Sequence, residues 1–151
     1  MIKQLLSSFT GQIFAVLVGL AIVSACTMDA KSSTSTLSLA DTQWTLKILS
    51  DTMVTNERPL TIAFDKNRLN GFAGCNRFSA NYTGSHDGVF SIGPISATKM
   101  ACGGSRDQLE QRYLEQLSKV TQYAIILDQL QLLDHNRKTL MTFSATKKTP
   151  A

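Results

Sequence analysis

Residues 78–94 read Phe78-Ser79-Ala80-Asn81-Tyr82-Thr83-Gly84-Ser85-His86-Asp87-Gly88-Val89-Phe90-Ser91-Ile92-Gly93-Pro94. Apolar residues at 78, 80 and 82 alternate with polar ones, the period of a strand with one buried face. Gly84 to Gly88 is a polar, glycine-bounded turn. Val89 to Ile92 returns, and Gly93-Pro94 stops it. The stretch therefore reads as two short antiparallel strands.

The same pattern extends outward. Upstream, Trp44, Leu46 and Ile48 alternate with Thr45 and Lys47. Leu60, Ile62 and Phe64 do so with Thr61 and Ala63, Asp65-Lys66-Asn67 turns the chain, and Leu69 to Phe72 returns. Ile95 to Met100 reads as a further strand. Seven of the nine glycines lie between Gly71 and Gly104, where they mark turns and bulges.

Downstream the period changes. Leu109, Tyr113, Leu114, Leu117 and Val120 form one stripe of a helix expected over 106–122. Ser105 and Gln108 have the spacing of a capping box, with Ser105 as N-cap. Asp107 and Lys119 suit the helix dipole. Strands then resume. Tyr123 to Leu127 and Leu130 to Leu133 flank Asp128-Gln129, Asp134 to Lys138 forms a turn, and Thr139 to Phe143 closes the fold. The expectation is a mainly β (α+β) domain of about seven or eight strands. They would form a small antiparallel barrel or a strongly curved sheet, with one amphipathic helix packed on or plugging it.

The first 25 residues differ from the rest. Residues 13–23 form an apolar run of eleven behind a lead carrying Lys3. A bilayer-spanning helix needs about 20 apolar residues, whereas a signal-peptide core takes about 7–15. Val23-Ser24-Ala25-Cys26 resembles the bacterial lipobox, in which the thiol of the Cys takes a diacylglycerol. The expected organisation is a lipoprotein signal peptide at 1–25 and a lipidated Cys26 with a Ser/Thr-rich tether over 26–40. A domain at 41–145 and a polar tail at 146–151 follow. Several acyl chains on Cys26 would anchor the chain firmly, since each buried CH₂ contributes about 0.8 kcal/mol. Thr27, in place of Asp, implies by resemblance to proteobacterial lipoproteins the outer membrane, facing the periplasm.

Composition narrows the function. The 151 residues carry 15 Lys+Arg against 11 Asp+Glu, a formal charge of +4. Loss of Lys3 with the signal leaves 14 against 11. No basic run exceeds two residues, which argues against nucleic-acid binding. Of the three cysteines, Cys26 is assigned to lipid, leaving Cys75 and Cys102. Two cysteines in an exported domain usually pair. Two buried thiols and a redox pair are the alternatives, the latter without a Cys-x-x-Cys spacing.

Gly74-Cys75-Asn76-Arg77-Phe78-Ser79, Thr98-Lys99-Met100-Ala101-Cys102, the amphipathic helix and Leu130-Gln131-Leu132-Leu133-Asp134 together resemble the META domain. Its bacterial members include the HslJ-like heat-shock lipoproteins. The likeness runs from about Trp44 to Phe143. It implies a lipocalin-like antiparallel β-barrel with a helix, export as a lipoprotein, and a link to heat shock and novobiocin tolerance.

No catalytic constellation is legible. His86 and His135 each sit in polar turns. A zinc site of Cys75, His86, Cys102 and His135 has no common spacing, so neither metal nor cofactor is expected. Gly103-Gly104-Ser105 lacks the Gly-x-Ser-x-Gly elbow. Asn76 and Arg77, inside the motif, are the candidates for a partner or ligand contact. The resulting expectation is a monomeric, non-catalytic envelope lipoprotein contacting an envelope protein. The alternative is a calycin-like binder of a small apolar ligand or lipid.

Overall fold

The computed structural model describes residues 38–146. The signal peptide, Cys26, most of the tether and residues 147–151 lie outside the described residues.

The elements are β1 (Thr42–Leu49), β2 (Thr52–Met53), β3 (Thr61–Phe64), β4 (Arg68–Phe72), β5 (Arg77–Gly84), β6 (Phe90–Ile92) and β7 (Ser96–Ala97). They continue with α1 (Gly104–Ser118), β8 (Gln122–Ile126), β9 (Gln129–Leu133) and β10 (Thr139–Ala145). The strands form one antiparallel sheet in the order β6-β5-β4-β3-β1-β10-β9-β8, with β2 added beside β1 and β7 beside β5. Its two ends meet. Val89 bridges Gln122. The Phe90 N–H donates to the Thr121 carbonyl at 2.9 Å, and the Tyr123 N–H to the Gly88 carbonyl at 2.8 Å. The sheet is thus a nearly closed β-barrel. The seam requires glycine, since Gly88 has φ 86° and an added Cβ would lie 2.7 Å from the Tyr123 carbonyl oxygen.

Inward residues fill the barrel. Phe64, Tyr82, Phe90 and Tyr123 form one aromatic chain. Phe78, Tyr113 and Phe143 form another, so the helix reaches two distant strands through Tyr113. Tyr113 and Leu117 are fully buried. The Tyr113 hydroxyl donates to the Thr61 carbonyl at 3.3 Å, giving its one polar atom a partner.

Four local expectations change. The alternation Trp44-Leu46-Ile48 breaks at Lys47, where the register with β10 shifts between Leu46 and Ile48. A bulge inserts one residue and reverses the faces, so Leu49 is buried and Ile48 is not. The strand expected from Ile95 to Met100 shrinks to Ser96–Ala97: the Thr98 N–H still donates to the Arg77 carbonyl at 3.0 Å, but the Met100 N–H and carbonyl bond to the Asn76 side chain instead of to a strand. The helix begins at Gly104, not Arg106, with Gly103 as N-cap and no side-chain cap. Ser105 therefore lies inside the first turn. The Asp107 carboxylate reaches back and holds the chain entering the helix, accepting the N–H groups of Cys102 (3.2 Å) and of the N-cap Gly103 (2.9 Å). The helix also ends earlier, at Ser118, and Gln122 joins β8. At the domain borders Leu39 is buried, and the Thr146 N–H donates to the Gln43 carbonyl at 2.9 Å.

Candidate functional site

The motif residues gather where the β4–β5 turn meets the helix. Residues 72–76 are all buried. Gly74 turns the chain at φ 117°, a region that side chains disfavour. Cys75 is disulfide-bonded to Cys102, with Cα atoms 5.9 Å apart. The bond ties the turn to the segment leading into α1.

Asn76 is 5% exposed, and its side chain is fully engaged. Its Oδ1 accepts from the Thr98 hydroxyl and the Met100 N–H, each at 2.7 Å. Its Nδ2 donates to the Met100 carbonyl and to Glu110 Oε1, each at 3.1 Å. Its backbone N–H donates to Glu110 Oε2 at 2.6 Å. An amide offers two donors and two acceptor positions, so the side chain has no capacity left. Three segments are cross-linked through one residue: the turn, the strand-exit loop 98–100 and the helix. No buried side-chain polar atom lacks a partner among the described residues.

Glu110 is the residue that sequence reading missed. An acid on an amphipathic helix reads as solvated, but Glu110 lies three residues before the buried Tyr113. That spacing places both on the barrel-facing side. Arg77 differs from its neighbour. Its backbone N–H donates to the Thr98 hydroxyl at 3.2 Å, while the residue itself is exposed.

The other candidates are dispersed. His86 lies in the β5–β6 turn and His135 in the β9–β10 turn, and neither joins the cysteines. Cys75, Cys102 and Asp107 do come together. Both sulfurs are bonded to each other, and both Asp107 oxygens accept backbone N–H groups, so the donor set does not suit a metal. In the β5–β6 turn the Ser85 hydroxyl bonds to Asp87. That bond is the main cause holding the Asp87 carboxyl below its ordinary range. Ser85 and Asp87 are thereby a turn lock, with the turn's own N–H groups adding to it.

The META domain model matches residues 37–147, well over half the chain. The chain belongs to the META domain family. A protein from Burkholderia xenovorans solved by NMR is 29% identical to this META domain protein, with a TM-score of 0.61, over 73% of this chain and 85% of that one. A second NMR structure is 25% identical, with a TM-score of 0.56, over 70% and 90%. A crystal structure of a DUF4847 family protein from Bacteroides vulgatus is 15% identical, with a TM-score of 0.51, over 74% and 96%, and shares the fold. No curated protein matches the sequence. In this META domain the Gly-Cys-Asn-Arg-Phe and Met-Ala-Cys blocks are the two halves of one structural junction.

Proposed function

We propose that this META domain protein is a non-catalytic, HslJ-like lipoprotein of the bacterial cell envelope. Acyl chains on Cys26 anchor it to the outer membrane, facing the periplasm. It serves tolerance of heat or novobiocin-type drugs through contacts with another envelope protein. One observation carries the non-catalytic part: the motif's buried polar groups are all committed to one another around Asn76. A reacting group needs an acid, base or nucleophile left available to substrate. The contact role then falls to exposed residues such as Arg77. The aromatic filling of the barrel weighs against a ligand held inside it. Anchoring rests on the lipobox-like Val23-Ser24-Ala25-Cys26.

The test is a deletion strain complemented with the wild-type chain or with Cys26→Ser. Metabolic palmitate labelling is expected for the wild type and lost in Cys26→Ser. Survival at high temperature and in novobiocin should fall in the deletion strain and recover with the wild type. Label that persists in Cys26→Ser removes the anchor. Unchanged tolerance in the deletion strain removes the stress role.

A further inference from the structure

A groove of about 310 Å³ runs between β2 and the first half of the helix. One wall is residues 52–55. The other is Ser105, Gln108, Leu109 and Arg112, and Leu49 adds to the lining. The four helix positions are spaced i, i+3, i+4 and i+7, so they form one face of α1. Met53 is 78% exposed although it borders this groove.

The β2 wall is an edge strand. It pairs with β1 through Ile48↔Met53 and Leu49↔Thr52, and no other described strand pairs with it. The Val54 N–H donates to the Lys47 carbonyl at 2.9 Å, which fixes the phase of the ladder. Antiparallel pairs alternate between bonded and non-bonded. Val54 is in a bonded pair, so the N–H and C=O of Met53 point away from β1. An exposed edge of this kind is a template for another strand. Among the described residues Arg112 is the one charged side chain lining the groove. Among the described residues no carboxylate pairs with it.

We propose that this groove takes an extended peptide segment of a partner protein, added as a strand along β2. Met53 supplies the backbone donor and acceptor, as in other cases of strand addition. The peptide's inward side chains rest on Leu49 and Leu109, and a carboxylate of the peptide meets Arg112. Strand pairing selects a peptide over a small amphiphile, because a peptide backbone carries a donor and an acceptor at the spacing of the Met53 N–H and C=O. The lone cation selects an acidic segment over a basic one. The proposal deepens the protein-contact reading above and rests on it.

The experiment immobilises the full chain in detergent and selects from a displayed library of random dodecapeptides. Enriched peptides are expected to alternate apolar and polar residues around an Asp or Glu. Proline at position 53 removes the outward N–H without removing a ladder bond to β1. Met53→Pro should therefore lower the recovery of enriched peptides at least tenfold. Arg112→Gln should lower it about tenfold for the acidic peptides and leave their Asn or Gln versions unaffected. Arg112→Gln changes an exposed side chain, so it keeps the test valid should Met53→Pro unfold, which a thermal melt reports. No enrichment over bare support, or enrichment indifferent to Arg112→Gln, overturns the groove. Such a failure leaves the envelope-contact reading standing if the deletion strain still shows its stress phenotype.

Discussion

At its helix end the barrel is held by a disulfide and by the five hydrogen bonds that join Asn76 to Thr98, Met100 and Glu110. At its seam it is held by two backbone hydrogen bonds flanking Gly88 and Phe90 and by the aromatic chain Phe64, Tyr82, Phe90 and Tyr123. At the helix end the β5–β7 ladder runs out at the Thr98 N–H, which donates to the Arg77 carbonyl, and the helix has no ladder to either strand, so the junction needs directional, residue-specific links. The seam joins two strand edges whose backbones already carry matching donors and acceptors. It needs close approach, which a missing side chain permits, and adds a side-chain bond, from the Tyr123 hydroxyl to the Ser85 carbonyl at 2.9 Å. Specific chemistry therefore accumulates where the topology supplies no ladder.

The largest effect is expected at the helix end. Asn76→Ala removes four side-chain hydrogen bonds and leaves the Met100 backbone groups and Glu110 without that partner. Net hydrogen bonds are worth about 0.5–1.5 kcal/mol, and more with a charged acceptor, so the loss should reach about 3 kcal/mol. Reduction of Cys75–Cys102 should cost about 3–4 kcal/mol for a loop spanning 27 positions. The two links hold the same junction, so the combined loss should depart from the sum. Urea unfolding of wild type and Asn76→Ala, each oxidised and reduced, measures both terms. Strict additivity, or a loss below about 1 kcal/mol for Asn76→Ala, breaks the picture of one coupled junction.

This division also explains what the sequence made legible. Phe78 to Tyr82 alternates cleanly because β5 buries one face throughout. The helical stripe stood out because Tyr113 and Leu117 must both face the barrel. The bulge at Lys47 left no trace, because Ile48 and Leu49 are both apolar and either could face inward. Asn76 is legible as a motif residue, but Glu110 is not. The half-buried Glu110 carboxylate is held by a partner 34 positions away, which no local pattern encodes. Ser105 and Gln108 satisfy the capping pattern, which places the helix start at Arg106 rather than at Gly104. The fold instead uses Gly103 with the Asp107 carboxylate.

The seam should be less sensitive than the helix end, and at one position. Gly88→Ala places a methyl about 2.7 Å from the Tyr123 carbonyl oxygen at φ 86°. An L residue in the left-handed region costs about 1–2 kcal/mol, and the backbone must also shift. The expected loss is about 2 kcal/mol. Hydrogen exchange should show the Phe90 and Tyr123 amides opening while the Asn76 amide stays protected. Equal loss of protection at both places would mean that the two ends do not act separately.

Tyr113 gives the smallest effect at neutral pH and a distinctive one in alkali. It is fully buried and bridges Phe78 and Phe143. Burial raises its phenol well above the ordinary value of 10.0. Tyr82 and Tyr123 near the seam are also raised, mainly by burial. An unfolded chain releases the Tyr113 proton near pH 10, whereas the folded chain keeps it. The stabilisation is therefore complete below about pH 10 and declines as pH climbs toward the folded value, by up to about 1.4 kcal/mol per pH unit. Tyr113→Phe loses the bond to the Thr61 carbonyl, about 1 kcal/mol, but has no phenol to ionise. Its stability curve should start below the wild type at about pH 8 and close the gap by about pH 11. The residual alkaline slope then belongs to Tyr82 and Tyr123, and so to the seam. Parallel curves for the two proteins would place the alkaline sensitivity at the seam alone and remove Tyr113 from it.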